Sequence, residues 1–165
     1  MAVGGGARVT LVLGIDPGRA SGWALVTHDE ELRGCGTVVT AKERVAVVES
    51  ALVIEPKIVV YAEKWTAGGW RSASSMMGLA AKWGAWEHAM EVEGIPARRV
   101  LRVYSQTWRA AILGGKQRST EAWKATALSF CRLKWPGGEW MSDDAAEAAC
   151  ITLYGVRAER LRRKR

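Results

Sequence analysis

Four acidic residues stand out by where the surrounding sequence puts them. The run "LVLGIDPG" ends an apolar stretch on Asp16, and "KIVVYAE" ends another on Glu63. A carboxylate at the end of a buried segment costs free energy unless a cation, a metal or a set of donors meets it. The third element, "SDDAAEAACITLYG", carries Asp144 and Glu147 three residues apart on one helical face, with Asp143 and Glu147, four apart, on a neighbouring one. Acids in a first helical turn after a serine also suit the helix dipole, which is the competing role for Asp143. Four carboxylates brought together need cations, and hard oxygen donors in a chain with two histidines select Mg²⁺, with Mn²⁺ as a substitute, over zinc. Two such ions about 4 Å apart clamp the attacking and leaving oxygens of a phosphodiester displacement. Asp16, Glu63, Asp144 and Glu147 are therefore the expected catalytic metal ligands, with Asp143 as an alternative register on the helix.

The elements that must gather these acids can be read in outline. Val9 to Ile15, Trp23 to Thr27 and a strand ending at Thr37 to Thr40 are separated by the short turns "DPGRASG" and "HDEELRG", which predicts an antiparallel meander. Apolar residues at helical spacing from Ala41 to Ile54, closed by Pro56, predict a crossover helix. "KIVVYAE" is a fourth strand. A helix over 72–93 connects it to a fifth, "ARRVLRV", and strand, helix, strand implies parallel neighbours. Helices are expected over Thr107 to Leu113, Thr120 to Leu133 with Ser119 or Thr120 as cap, and Asp143 to about Tyr154 with Ser142 as cap. The class is α/β with a mixed five-stranded sheet, three strands antiparallel and two parallel, flanked by helices. Asp16 and Glu63 then fall side by side outside the carboxyl ends of parallel strands, the usual place for a site in such folds.

A chain of 165 residues suits one domain, 1–165, with 1–8 and 156–165 expected as flexible tails. Its net charge is +7 and it ends "RAERLRRKR", so a polyanionic partner fits. The three cysteines are odd in number, widely spaced and without a C-x-x-C, which excludes a zinc ribbon and a disulfide framework and suits a reducing compartment. No apolar run approaches the roughly 18 residues of a membrane span, and the N-terminus lacks a signal-peptide core, so no membrane role and a cytoplasmic location are expected. "LGGKQRSTEAWK" carries Lys116, Arg118 and Lys124 between two predicted helices, a combination of backbone amides and cations that suits phosphate. Nine tryptophans are many for this length; Trp65 follows Glu63 by two, and Trp70, next to Arg71, sits in the glycine-rich "TAGGWRS". A tryptophan in such a place can stack on an unpaired base.

"GIDPGRASGWALV", "IVVYAEKW" and "SDDAAEAAC", in this order and in a chain of this length, resemble the RuvC-type Holliday junction resolvases of the RNase H-like superfamily. The resemblance runs from about Val9 to Gly155. It implies an RNase H-like sheet, a homodimer formed through helix 72–93, and divalent-metal-dependent paired nicking of a four-way DNA junction that leaves 5′-phosphate and 3′-hydroxyl ends. It also implies that Asp16 is the first-strand ligand, Glu63 the fourth-strand ligand, and Asp144 with Glu147 the pair on the last helix. That helix carries D-x-x-E where many members have D-x-x-D or D-x-x-H. Trp65 or Trp70 would correspond to the aromatic that opens the junction, and Arg109 and Lys124 to the family's functional cations, alongside Arg71, Lys116 and Arg118 as DNA-binding residues. The alternatives are another RNase H-like nuclease acting on branched DNA or RNA, and a nucleic-acid-binding module with an inactive centre. A sugar-kinase or actin-like ATPase, whose first strand can also end in G-x-D, needs two duplicated domains, more than this chain provides.

Overall fold

The computed structural model of the chain describes residues 11–18, 20–65, 72–116, 119–137 and 142–164. Five strands, β1 (Leu11–Asp16), β2 (Ser21–Thr27), β3 (Leu32–Val38), β4 (Val59–Lys64) and β5 (Val100–Tyr104), form one sheet in the order β3-β2-β1-β4-β5. β1 to β3 pair antiparallel, while β4 runs parallel to both β1 and β5. Helices α1 (Ala41–Ile54) and α2 (Ala73–Val92) follow β3 and β4; α3 (Ser105–Ile112), α4 (Thr120–Lys134) and α5 (Asp143–Arg162) follow β5.

Strand alternation divides the core in two. Leu11, Leu13 and Ile15 of β1 pack with Val60 and Ala62 of β4 against α1 and α2. Val12 and Tyr61 point the other way, into a second cluster with Trp108 of α3, Cys131 of α4 and the inner face of α5. Asp16 and Glu63 continue the phase of Val12 and Tyr61, so both carboxylates emerge on the α5 side. The register Ile15 opposite Ala62 places these two residues next along their parallel strands.

Two glycines let α5 lie directly on the sheet. A Cβ at Gly14 would stand 2.0 Å from Thr152 Oγ1 and 2.6 Å from the Ala148 carbonyl oxygen, and one at Gly22 would stand 1.9 Å from the carbonyl oxygen of Asp144. Ser142 caps the helix by accepting from the Ala145 N–H.

Three expectations change. β3 starts at Leu32, inside the segment read as a turn, because Glu30 takes a left-handed conformation (φ 66°) and the Thr27 N–H donates to Glu31 O at 2.9 Å, closing a tighter loop. Residues Ala97–Arg99, read as strand, form a single 3₁₀ turn entered from Pro96. α5 does not stop near Tyr154 but runs to Arg162, through most of the segment expected as a tail. The added turns are tied back by Arg157 Nε and Arg160 Nη1, which reach Glu30 Oε1 at 3.2 and 3.1 Å, while Arg160 also donates to the His28 carbonyl. In α2 the buried residues, among those described, are Trp83, Trp86, Ala89 and Met90.

The cysteines are free thiols, Cys131 and Cys150 buried and Cys35 partly exposed. Among the described residues no helix is long and apolar enough to cross a membrane.

The glycine contacts yield a prediction. Gly22→Ala should cost about 1–3 kcal/mol, as overpacking does, and lower the melting temperature by several degrees, because the added methyl meets backbone rather than a movable side chain. Calorimetry checks this; an unchanged melting temperature would mean that α5 does not rest on β2 here.

Candidate metal centre

The acids converge at the carboxyl ends of β1 and β4. Asp16, Asp144 and Glu147 each offer a carboxylate oxygen within 4.8 Å of the others, and Glu63 joins them in lining a cavity of about 420 Å³. Asp143 is exposed and lies outside this group, so the helix presents the Asp144/Glu147 register.

Two cations balance two of the acids. Arg109 Nη2 of α3 reaches Glu147 Oε1 at 2.8 Å, and Lys124 Nζ of α4 reaches Asp144 Oδ1 at 2.9 Å. Arg109 is held between aromatic rings, its guanidinium carbon 5.1 Å from the centroid of Trp108 and 5.5 Å from that of Trp123. Burial pushes the Glu147 carboxyl up against the opposing pull of Arg109, and the hydrogen bond from Lys124 to Asp144 raises the lysine's own pKa. Asp16 is different. Its side chain is half-buried at the end of β1, and desolvation followed by repulsion from Glu63, Glu147 and Asp144 lifts it well above the ordinary carboxylate range, with Lys124 as a weaker opposing influence.

Such an arrangement fits a divalent cation. Three oxygens converge, the donors are hard, and among the described residues the acids around Asp16 outweigh the opposing influence of Lys124.

Of the other expected site residues, Trp65 lines the same cavity, and its buried indole N–H has no partner among the described residues. Lys116 is exposed and does not line the cavity. Trp70, Arg71 and Arg118 lie outside the described residues. Sequence reasoning missed Trp108, whose Nε1 donates to Glu63 Oε2 at 2.9 Å, and Arg102, whose Nε and Nη2 donate to the Glu63 carbonyl at 3.3 and 2.9 Å. Neither belongs to a motif; the only signal was adjacency, Trp108 standing beside Arg109 one turn after the fifth strand.

No protein-family model matches the chain, and no curated protein sequence does either. Solved structures do match. A structure of Thermus thermophilus RuvC in complex with Holliday junction substrate superposes with a TM-score of 0.69 over 94% of this chain and 96% of that one, at 21% identity. The chain has a RuvC-type fold. A second T. thermophilus RuvC structure gives a TM-score of 0.65 at 22% identity, covering 93% of this chain and 96% of that one. The fowlpox virus Holliday junction resolvase gives 0.55 at 14% identity, covering 90% and 99%. The RuvC-type fold thus extends across nearly the whole chain, at identities where the acidic positions must be judged on their own geometry.

That geometry predicts a pH dependence. The folded-state pKa of Asp16 lies above its unfolded value, so the folded protein favours the protonated acid, and stability falls as pH rises from about 4, the ordinary aspartate value, toward the folded pKa. In chelator, Asp16→Asn should therefore melt higher than the parent at neutral pH and lose this part of the pH dependence. Melting curves from pH 4 to 8 check it; a variant less stable than the parent throughout would mean that Asp16 is already compensated.

Proposed function

We propose that the chain is a structure-selective endodeoxyribonuclease that resolves four-way DNA junctions by paired phosphodiester hydrolysis, leaving 5′-phosphate and 3′-hydroxyl ends. The observation that carries this reading is the convergence of Asp16, Asp144 and Glu147, with Glu63 beside them and Arg109 and Lys124 at their edge, in one cavity of a RuvC-type fold.

Asp16, Glu63, Asp144 and Glu147 would hold Mg²⁺, as two ions, with Mn²⁺ as a substitute. Bound there, the metal would supply Lewis-acid activation of water and neutralise charge on the phosphate. The protein's own residues bind and orient. Lys124 and Arg109 stand beside the acids as cations able to meet backbone phosphates, and Lys116, Arg71 and Arg118 are the further basic residues we assign to DNA binding. The acids at the centre repel phosphate, so the surrounding cations must carry binding. Trp65 or Trp70 supplies a face for an unpaired base at the opened crossover; Trp65 lines the cavity.

Two opposed nicks need two centres, and we assign the dimer contact to α2. The first half of that helix presents exposed Met77 and Ala80, and the positions of Gly78 and Gly84 have open space around them, a surface another helix could approach closely. We place the enzyme in the cytoplasm, where unpaired buried thiols such as Cys131 and Cys150 persist.

Cleavage of a synthetic four-way junction, a flap and an RNA–DNA hybrid in Mg²⁺ tests the substrate. Junction cleavage should dominate, and Asp16→Asn and Glu63→Gln should lose it while still binding the junction. Preference for the hybrid would favour an RNase H-type activity instead, and cleavage by either variant at the parental rate would remove its acid from the centre.

Junction binding should also fall steeply with salt, by about 10³–10⁵ between 50 and 200 mM for six to ten phosphate contacts. Lys124→Ala should reduce the log–log slope by about 1. A flat profile would exclude a phosphate-dominated interface.

A further inference from the structure

We infer that Trp108 is a positioning residue that fixes the Glu63 carboxylate for metal without neutralising it. The inference rests on the metal-centre reading above and goes beyond it by assigning a residue outside the acidic motifs.

Glu63 is gripped at both ends. Its backbone pairs with Val103 of β5, and its carbonyl oxygen accepts from two nitrogens of the Arg102 guanidinium, which lies 3.8 Å from the ring centroid of Trp83 in α2. Its carboxylate accepts from Trp108 Nε1 at 2.9 Å. Trp108 is 0% exposed and packed in the core beneath α5, so the indole cannot turn away without opening the core.

The choice of donor matters. Arg109 and Lys124 bring positive charge to Glu147 and Asp144, which a metal ion must compete with. An indole N–H is a neutral donor that can neither give up its proton at physiological pH nor accept one. It commits Glu63 Oε2 to one direction and itself adds no charge; the positive charge near Glu63 is the Arg102 guanidinium, which is hydrogen-bonded to the backbone carbonyl. Groups that orient metal ligands in this way typically affect metal affinity by 10- to 100-fold.

Trp108→Phe keeps most of the ring volume and removes the donor. Thermal stabilisation by Mn²⁺, measured without DNA, should need about 10- to 100-fold more metal in this variant, and junction cleavage should fall in kcat more than in KM. In a Glu63→Gln background the same substitution should add less than about threefold to the Mn²⁺ midpoint, since its effect runs through the carboxylate. A purely structural Trp108 would lower the melting temperature without moving the midpoint.

As a check on the unaltered ring, ¹⁵N–¹H spectra should contain an indole resonance that moves both on Mg²⁺ addition and on Glu63→Gln. A wild-type midpoint in Trp108→Phe, an equal shift in both backgrounds, or the absence of such a resonance overturns the inference alone. A parent protein that neither gains stability from Mn²⁺ nor cuts a junction overturns the reading of the site, and this inference with it.

Discussion

Repulsion among Asp16, Glu63, Asp144 and Glu147 is the constraint around which the rest of the structure is arranged. Gathering like charges in an enclosed place costs free energy that packing elsewhere must offset. The fold meets this cost in graded ways: a lysine for Asp144, an arginine for Glu147, an indole N–H for Glu63 with the Arg102 guanidinium nearby, and for Asp16, among the described residues, only the weaker influence of Lys124, so that its carboxyl is displaced toward its protonated form. The least compensated acid sits at the centre of the cluster, where a cation from outside would gain most.

What forces the acids together is α5. It carries two of them in its first two turns and is laid against β1 and β2 at Gly14 and Gly22, positions where any side chain would hold it away. At its far end Arg157 and Arg160 fasten it to Glu30 in the β2–β3 turn, and Lys134 of α4 reaches the same carboxylate at 2.6 Å. Trp135 adds an indole N–H to the Glu30 carbonyl at 2.8 Å. The helix is thus held at both ends, by the glycine contacts at its acidic end and by the Glu30 cluster at its basic end.

The sheet and the acids were legible in the sequence because both follow from one-dimensional signals. Strands buried on both faces read as continuous apolar runs, and a run that ends on Asp16 or Glu63 advertises the charge. The Asp144/Glu147 pair is set by helical period, and exposed Asp143 fits a residue serving the helix dipole. What stayed hidden depends on contacts between distant segments. The extension of α5 to Arg162 rests on arginines meeting a turn more than a hundred residues earlier, and a basic run read in isolation looks like a tail. The early start of β3 depends on a non-glycine residue with positive φ, which no local preference marks. Trp108 and Arg102 act on Glu63 only because β4 and β5 are neighbours, and neither residue type suggests such a role by itself.

The central claim is that the acidic cluster is a metal centre whose paired cations give way to the metal. Crystals grown with Mn²⁺ and measured at an anomalous wavelength test it directly. The account predicts anomalous density among the carboxylates of Asp16, Glu63, Asp144 and Glu147, with Lys124 or Arg109 turned from its acid toward the open side of the cavity. Full Mn²⁺ exposure with no density there, and both ion pairs intact, would contradict it.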